Sequence, residues 1–358
     1  MRGITSTAVK QALKGDESTR VIEAGLSIRM LKSIPSILSD GFIMSQLTEN
    51  SFSPSHTPSR LALFFNLFSG KWRPGKFWHQ RSFRRKFLLR SLLMPRLSLE
   101  WMNELAHMPC LEELLIRQPR LPVRLHRPYL AANLSRKQLL EAVRYHYARL
   151  YSTLTAEELR DYLNGDGLLL AQLEGKEGEK YTLEFTMMIS LDKEGESTIL
   201  MRNGSGEVLA EMTFTLCEYQ NQRTLFIGGL QGGKRELPHE EIQKATKACY
   251  GLFPKRLVME AVCQFAARFG VTQILAVSNE THIYRSLRYR DKKEQIHADY
   301  SAFWATVGGE CDASGYYHIP CAIPRKSEAE IASKKRAEYR RRYQLLDTIP
   351  AQMTGRLI

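Results

Sequence analysis

The chain has 358 residues, 43% of them apolar and 25% charged, with a formal net charge of +13. That composition excludes a disordered chain, and the length admits one large domain or two ordinary ones. No apolar run reaches the roughly 18–20 residues that span a bilayer, and the opening MRGITSTAVKQALKGDESTR lacks the apolar core of a secretory signal.

The basicity is regional. Residues 60–150 hold 18 Lys and Arg against 5 acidic residues, residues 151–322 hold 18 against 24, and residues 323–358 hold 9 against 4. The first and last of these regions are therefore expected to meet something acidic, such as a lipid headgroup surface, nucleic acid or an acidic carrier protein. The six cysteines, Cys110, Cys217, Cys249, Cys263, Cys311 and Cys321, form no CxxC pair. This spacing argues for reduced thiols in a cytoplasm and against a structural zinc or other metal site.

Residues 1–59 read as a loosely organised segment ending in the linker SFSPSHTPSR. From 60 to about 165 the pattern is helical. KFWHQRSFRRKFLLRSLLM places Phe77, Phe83, Phe87, Leu88 and Leu92 roughly on one face, with Arg81, Arg84, Arg85 and Arg90 on the others. Together with Trp78, these aromatics and cations suit an anionic membrane interface over 76–92; the alternative is that the aromatics pack inward and only the arginines meet solvent. Ser98 is placed to cap LEWMNELAHM, while Ser135 with Gln138 and Thr155 with Glu158 form capping boxes for two further helices. NGDG at 164–167 ends the second of these.

Past NGDG the period changes. LLLAQLEG, KYTLEFTMMIS, STILMRN, GEVLAEMTFTLCEY and RTLFIGGL are strands, separated by the turn-like KEGE, DKEGE, NGSG and QNQ. Such short connectors predict an antiparallel meander. A helix near 238–250 follows, then PKRLVMEAVCQFAARFG, opened by Pro254 and closed by Gly270, then the strand VTQILAVS. The strands 223–230 and 272–278 are thus predicted parallel, joined by a right-handed crossover. Trp304, Tyr300 and Phe303 read as core, His318 in the strand-like GYYHIPCAI as an edge or packed histidine, and Ser327 with Glu330 as the start of a basic final helix. The layout divides as 1–59, 60–165, 166–322 and 323–358, an α+β protein with a basic helical region ahead of a mixed sheet.

A meander feeding one βαβ crossover resembles the GNAT acyltransferase superfamily. There, two parallel strands splay and free backbone amides to bind donor phosphates. LFIGGLQGGK, 225–234, ends the first such strand, so that Gly228, Gly229, Gln231, Gly232 and Gly233 become candidates for cofactor binding, the alternative being backbone geometry at a bulge or turn. The superfamily's loop runs directly into its helix, whereas about twenty residues intervene here before 255–269. The order of FWHQRSFRRKFLLRSLLMPRLSLEW, RLPVRLHRPYL, the whole run 225–286, DYSAFWATVGGE and YYHIPCAIPRKSEAEI is similar to the VirK/YbjX family of Gram-negative bacteria over roughly 70–346. That resemblance implies a role in virulence, in resistance to cationic antimicrobial peptides and in surface display of an outer-membrane actin-assembly protein, with some members membrane-associated. It implies no reaction.

SNETHIYRSLRYR, 278–290, follows the second parallel strand, where α/β folds place their ligands. Asn279 and His282 could orient or deprotonate an acceptor, Tyr284 could protonate a leaving thiolate, and Arg285, Arg288 and Arg290 could grip phosphate. The bland alternative pairs these arginines with Glu280, Asp291 and Glu294. Glu184 is either a general base or, as its alternation with apolar neighbours indicates, a solvent-facing residue. Two functions are consistent with these residues. One is acyl or aminoacyl transfer to an envelope component from an acyl-CoA, acyl-carrier-protein or aminoacyl-tRNA donor. The other is a non-catalytic adaptor, cytoplasmic or peripheral at the inner membrane, docking on lipid, an acidic carrier protein or tRNA; no DNA-binding motif is present.

Overall fold

The helical layer begins at Ser59, whose hydroxyl accepts the Ala62 N–H and starts α1 (Arg60–Ser69), closed by Gly70 in the left-handed conformation. The structure is a computed structural model that describes residues 59–165, 167–233, 237–289 and 300–356, all within the unit Pro54–Ile358. The segment 1–58, together with Lys234, Arg290, Asp291 and Glu294, lies outside the described residues. Helices α2 (Arg81–Leu93), α3 (Pro95–Ala106), α4 (Leu111–Arg117), α5 (Arg136–Thr153) and α6 (Ala156–Asn164) follow. The predicted capping boxes of α5 and α6 are both formed, and Gly165 ends α6 at φ 92°.

Two helix starts differ from expectation. Met94 and Pro95 open α3, because proline's fixed φ is pre-organised for the first helical position. Ser98 is buried inside the helix and bonds His126 Nε2 at 2.9 Å. Ser327 and Glu330 do form a capping box, but it heads only the 3-10 turn Glu328–Glu330. Ile331 then turns extended to bury its side chain, and the long basic helix α10 starts at Arg336.

Three of the four aromatics of 76–92 face inward, while Phe77 is half-buried with the Arg120 guanidinium 5.0 Å from its ring centroid. Trp78 and Phe87 are fully buried with ring centroids 5.2 Å apart, and Phe83 packs edge-on to Trp78 at 5.0 Å. Arg84, read from the sequence as a surface cation, is buried as well. Its guanidinium donates to the carbonyls of Phe68 (3.1 Å), Trp78 (2.7 Å) and His79 (3.3 Å), fixing the end of α1 to the start of α2.

The strands are β1 (Leu168–Glu174), β2 (Lys180–Thr186), β3 (Ser197–Asn203), β4 (Val208–Tyr219), β5 (Gln222–Gly232), β6 (Gln273–Val277), β7 (Glu310–Cys311) and β8 (Tyr316–Ile319). They form one sheet in the order β1-β2-β3-β4-β5-β6-β8-β7, in which β5 and β6 are the parallel pair. The meander and crossover thus match the sequence expectation, and the fold class is α+β. Helices α7 (His239–Ala248) and α8 (Pro254–Arg268) fill the crossover, and α9 (Tyr300–Thr306) precedes β7. The β4–β5 hairpin turns on Gln220 and Asn221, both at positive φ, as a two-residue turn requires.

Strand β4 is two-faced. Phe214 meets Phe265 of α8 at 5.3 Å, while Thr213 and Thr215 bond Thr198 and Tyr129 on the polar side. On β2, Tyr181, Leu183 and Phe185 are buried, and Glu184, on the opposite face, is half-buried rather than solvent-facing, paired with Arg202 of β3 at 2.8 Å. Helix α10 packs on β1 and α8 through Leu345, Leu346, Ile349 and Met353. Its Gln352 amide pairs with both backbone groups of Gln172 (2.9 and 2.7 Å) and blunts the exposed edge of β1. No described helix is long and apolar enough to cross a membrane.

Replacing Arg84 by Ala should cost about 2–4 kcal/mol, because three buried carbonyls lose a charged donor. Arg85→Ala, on an exposed neighbour, should leave the denaturation midpoint within about 0.5 kcal/mol of the parent.

Candidate functional site

Strands β5 and β6 pair from Thr224↔Gln273 to Ile227↔Ala276, after which β6 ends and β5 runs on to Gly232. The strands therefore fork. On its other edge β5 stays paired with β4, with a bulge that leaves Gly228 as the extra residue between Gly229↔Thr213 and Ile227↔Phe214.

The fork is filled by the chain itself. DKEGES, 192–197, is not the exposed turn its composition suggests: Asp192, Glu194 and Glu196 are each 1% exposed. Its backbone is tied down by Leu130 N–H to Lys193 O (2.8 Å) and Glu196 N–H to Phe214 O (3.1 Å). Three glycines permit this approach. A Cβ on Gly195 would stand 2.6 Å from Phe214 O, one on Gly228 would overlap the Glu194 carbonyl, and one on Gly229 would overlap the Glu194 carboxylate.

The Glu194 carboxylate accepts Gln231 Nε2 at 3.2 and 3.4 Å and lies 3.8 Å from His282 Nε2. The Tyr300 hydroxyl accepts the Leu230 N–H at 3.3 Å and sits 3.4 Å from the same His282 nitrogen. His282 Nδ1 accepts the Tyr284 N–H at 3.3 Å, so in the neutral ring the proton resides on Nε2, facing Glu194 and Tyr300. Burial pushes the Glu194 carboxyl up to about 7, against the Gln231 hydrogen bond. Burial, then Arg285, brings His282 down to about 4, and burial, then Glu194, raises Tyr300 well above the phenol range. The cluster can therefore hold or exchange a proton near neutrality without exposing it.

Beside it lies a second buried network. Arg124, 2% exposed, donates to Glu196 (2.7 and 3.1 Å) and to Gln118 Oε1 (3.1 Å), and pairs with Asp192 at 2.8 Å. Tyr147 donates to Glu196 at 2.8 Å, and Arg120 holds the other Asp192 oxygen at 2.7 Å. Burial alone would lower Arg124, but Glu196 and Asp192 hold it above its ordinary value. His146 is a satisfied core histidine, accepting Leu216 N–H on Nδ1 and meeting Ser197 Oγ through Nε2, both at 3.0 Å.

Of the residues singled out from the sequence, His282 and Gln231 join this cluster. Asn279 Oδ1 accepts the Tyr300 N–H at 3.0 Å and so fixes the start of α9. The Tyr284 ring stands 4.9 Å from His282, beneath Lys193 Nζ at 5.7 Å from its centroid. Arg285 is engaged by Glu280 (2.9 Å) and by the Asn279 carbonyl (2.9 Å). Gly228 and Gly229 lie beneath Glu194, whereas Gly232 and Gly233 lie further along, beside Lys255 and Leu237. Glu194, Glu196, Asp192 and Arg124 were missed; the one sequence signal for them is acids at every second position in DKEGE opposite the arginines of RQPRLPVRLHR. His318 pairs with Asp312 at 3.0 Å and borders a depression of about 330 Å³ at the other end of β6.

Residues 76–355 match the family described as "Protein of unknown function (DUF535)", and the chain belongs to that family. It is 70% identical over 324 residues to "Uncharacterized protein YbjX" of Escherichia coli (strain K12), covering 90% of this chain and 98% of that protein. An "Uncharacterized protein" of Haemophilus influenzae is 30% identical over 154 residues, 43% of this chain and 50% of that protein. A further one from the same organism is 29% identical over 139 residues, 39% and 46% of the two chains. The assignment to the YbjX family drawn from the residues therefore stands.

Two outcomes follow for the fork. Gly229→Ala should destabilise the protein, and Glu194→Ala should relieve that loss because the obstruction is a side chain; Gly228→Ala should not be relieved, since its obstruction is the Glu194 carbonyl. Because the folded Glu194 titrates at about 7 rather than 4.5, the fold keeps full stability below about pH 4.5 on this account and loses it as pH rises through 7. Glu194→Gln should therefore match the parent at pH 4.5 and exceed it by about 2–3 kcal/mol at pH 8 in urea denaturation.

Proposed function

We propose that the chain is a peripheral docking protein that holds to an anionic membrane surface, the cytoplasmic face of a Gram-negative inner membrane, through α2. From there it supports envelope integrity and resistance to cationic antimicrobial peptides, the role that its family likeness implies. The observation that carries this reading is the outer face of α2, where Arg81, Arg85 and Lys86 stand beside Leu89 (59% exposed), Leu92 (66%) and Leu93 (81%). The spacings 81-85-89-92 and 86-89-93 put them on one side of the helix. Leucines at the boundary between headgroups and acyl chains gain from leaving water, while the neighbouring cations are attracted by anionic headgroups. Leu61 and Phe65 of α1 are exposed in the same way. Trp78, Phe83 and Phe87 pack inward, so the contact depends chiefly on aliphatic side chains.

A second reading, acyl or aminoacyl transfer, is favoured by one observation. The strands part beyond Ile227, beside a carboxyl that titrates near neutrality and an uncharged imidazole. In this reading Glu194 or His282 takes a proton from the acceptor, and the 192–197 loop has to lift from Gly228 and Gly229 before a donor can enter.

Sedimentation with vesicles containing phosphatidylglycerol tests the first reading. Leu92→Glu with Leu93→Glu should weaken binding at least tenfold, and reversing Arg81, Arg85 and Lys86 to Glu should abolish it. His282→Ala with Tyr284→Phe should leave both docking and peptide resistance in cells unchanged. Loss of resistance by that folded, membrane-bound double variant would transfer the case to catalysis.

A further inference from the structure

Behind α2, four arginines lie near buried polar atoms that have no hydrogen-bond partner among the described residues. Arg90 comes from α2, Arg127 follows the 3-10 turn Leu121–His126, Arg136 is the first residue of α5, and Arg288 lies beyond the 3-10 turn Ile283–Arg285. Arg136 is tied in place by the carbonyls of Leu125 (2.7 Å) and Arg127 (2.5 Å) on either side of His126. His126 is 5% exposed; its Nε2 meets Ser98, and its Nδ1 has no partner among the described residues. Tyr289 is 8% exposed, and neither its hydroxyl nor the buried Ser286 Oγ has a partner among them. Tyr289 acts electrostatically on Arg90, Arg127 and Arg136, and Arg288 acts on Arg90 and Arg136. The Phe87 ring of α2 stands 5.9 Å from the His126 ring, and burial, then Arg90, Arg136 and Arg127, brings His126 down to about 4.

Counter-charge is scarce here. Among the described residues, no ion pair ties Arg90, Arg136 or Arg288. Asp192 lies 3.9 Å from Arg127, but its oxygens are already engaged by Arg120 at 2.7 Å and Arg124 at 2.8 Å. Leaving a buried hydroxyl and a ring nitrogen unpaired is costly, and crowding like charges adds to that cost. One kind of ligand removes both penalties, an anion with more oxygens than a carboxylate has. Guanidinium forks match phosphate oxygens in pairs, and with Ser98 donating to Nε2, the Nδ1–H of His126 points outward as a further donor.

We propose that Arg90, Arg127, Arg136 and Arg288, with the Tyr289 hydroxyl and His126 Nδ1, form a seat for a phosphate group. The phosphate can belong to a soluble phosphorylated compound or to a lipid headgroup. Leu89, Leu93 and Leu287 (86% exposed) neighbour the seat's arginines in sequence, and a lipid would give them a partner. Binding of a soluble phosphate does not depend on the docking reading, because none of the seat's polar groups is one of the α2 cations or leucines invoked there.

The test is titration of the full chain with inorganic phosphate, glycerol 3-phosphate, and vesicles with or without phosphatidylglycerol, following the His126 ring by NMR and affinity by calorimetry. The expected result is saturable binding that shifts the His126 signals and moves its protonation to higher pH, since a neighbouring anion favours imidazolium. Arg90→Gln with Arg288→Gln should weaken that binding at least tenfold with melting no lower than the parent's, as neither side chain holds an internal hydrogen bond among the described residues and the crowding of like charges is relieved. Arg81→Gln with Arg85→Gln should leave the soluble phosphate titration unaltered. A response to the soluble probes assigns the seat to free phosphorylated compounds, and a response confined to phosphatidylglycerol vesicles assigns it to headgroups. An unmoved His126 with every probe, or full affinity in the Arg90→Gln, Arg288→Gln variant, overturns the seat.

Discussion

Arg124 and Glu196 meet at 2.7 Å with neither side chain more than 2% exposed, and the seating of the helical layer on the sheet depends on that contact. An isolated carboxylate at such depth would cost several kcal/mol, and two of them, Asp192 and Glu196, are neutralised by arginines from one short turn of the helical layer. The pairing joins chain segments some seventy residues apart and holds the 192–197 loop against β4. The third acid, Glu194, is carried along by the same loop and finds no cation of comparable proximity. It settles instead among amide, imidazole and phenol groups, which is why burial moves its titration toward neutrality.

The state of the strand fork follows from this anchoring. Parting of β5 and β6 would ordinarily release backbone donors into a cleft, where an anionic donor could bind. Here the Leu230 N–H is taken by Tyr300, and the glycine backbone at 228–229 is overlain by Glu194. A loop held by two buried ion pairs is not displaced by a weak ligand; any opening has to offset those pairs as well as the hydrogen bonds of Gln231 and Tyr300. The fork's geometry and its accessibility are thus separate properties, set by different residues.

This separation also marks what could be read from the residues alone. The meander, the parallel crossover and the capping boxes of α5 and α6 are local features, written in periods of two and 3.6 and in Ser/Thr–Gln/Glu pairs. They were legible because each rests on neighbours within a few positions. His282 and Gln231 were legible as candidates because they sit at strand ends. DKEGE was not, since acids with a glycine between strands have the composition of an exposed turn. Its burial depends on Arg124 and on the room left by Gly228 and Gly229, all distant in the chain. Arg84 and Ser98 misled for the same reason: a charged or hydroxyl side chain on a helix reads as solvent-facing or capping until its buried partners are known.

Charge follows the same logic. The helical layer's excess of cations and the sheet's excess of acids are segregated along the chain, yet Arg120 and Arg124 recombine with Asp192 and Glu196 across the contact between them. Arg84 spends its donors on backbone carbonyls, and Arg136 commits one of its amino groups in the same way. Net charge therefore overstates the basic surface, and the cations without an ion pair among the described residues include Arg81, Arg85 and Lys86 on α2 and, behind it, Arg90 and Arg288. These two kinds of cation respond to different variables. Exposed charges are screened over about 8 Å at physiological salt, whereas pairs excluded from solvent are screened far less. Raising ionic strength should thus release whatever α2 holds while leaving the Arg124 network, and the fold it anchors, in place.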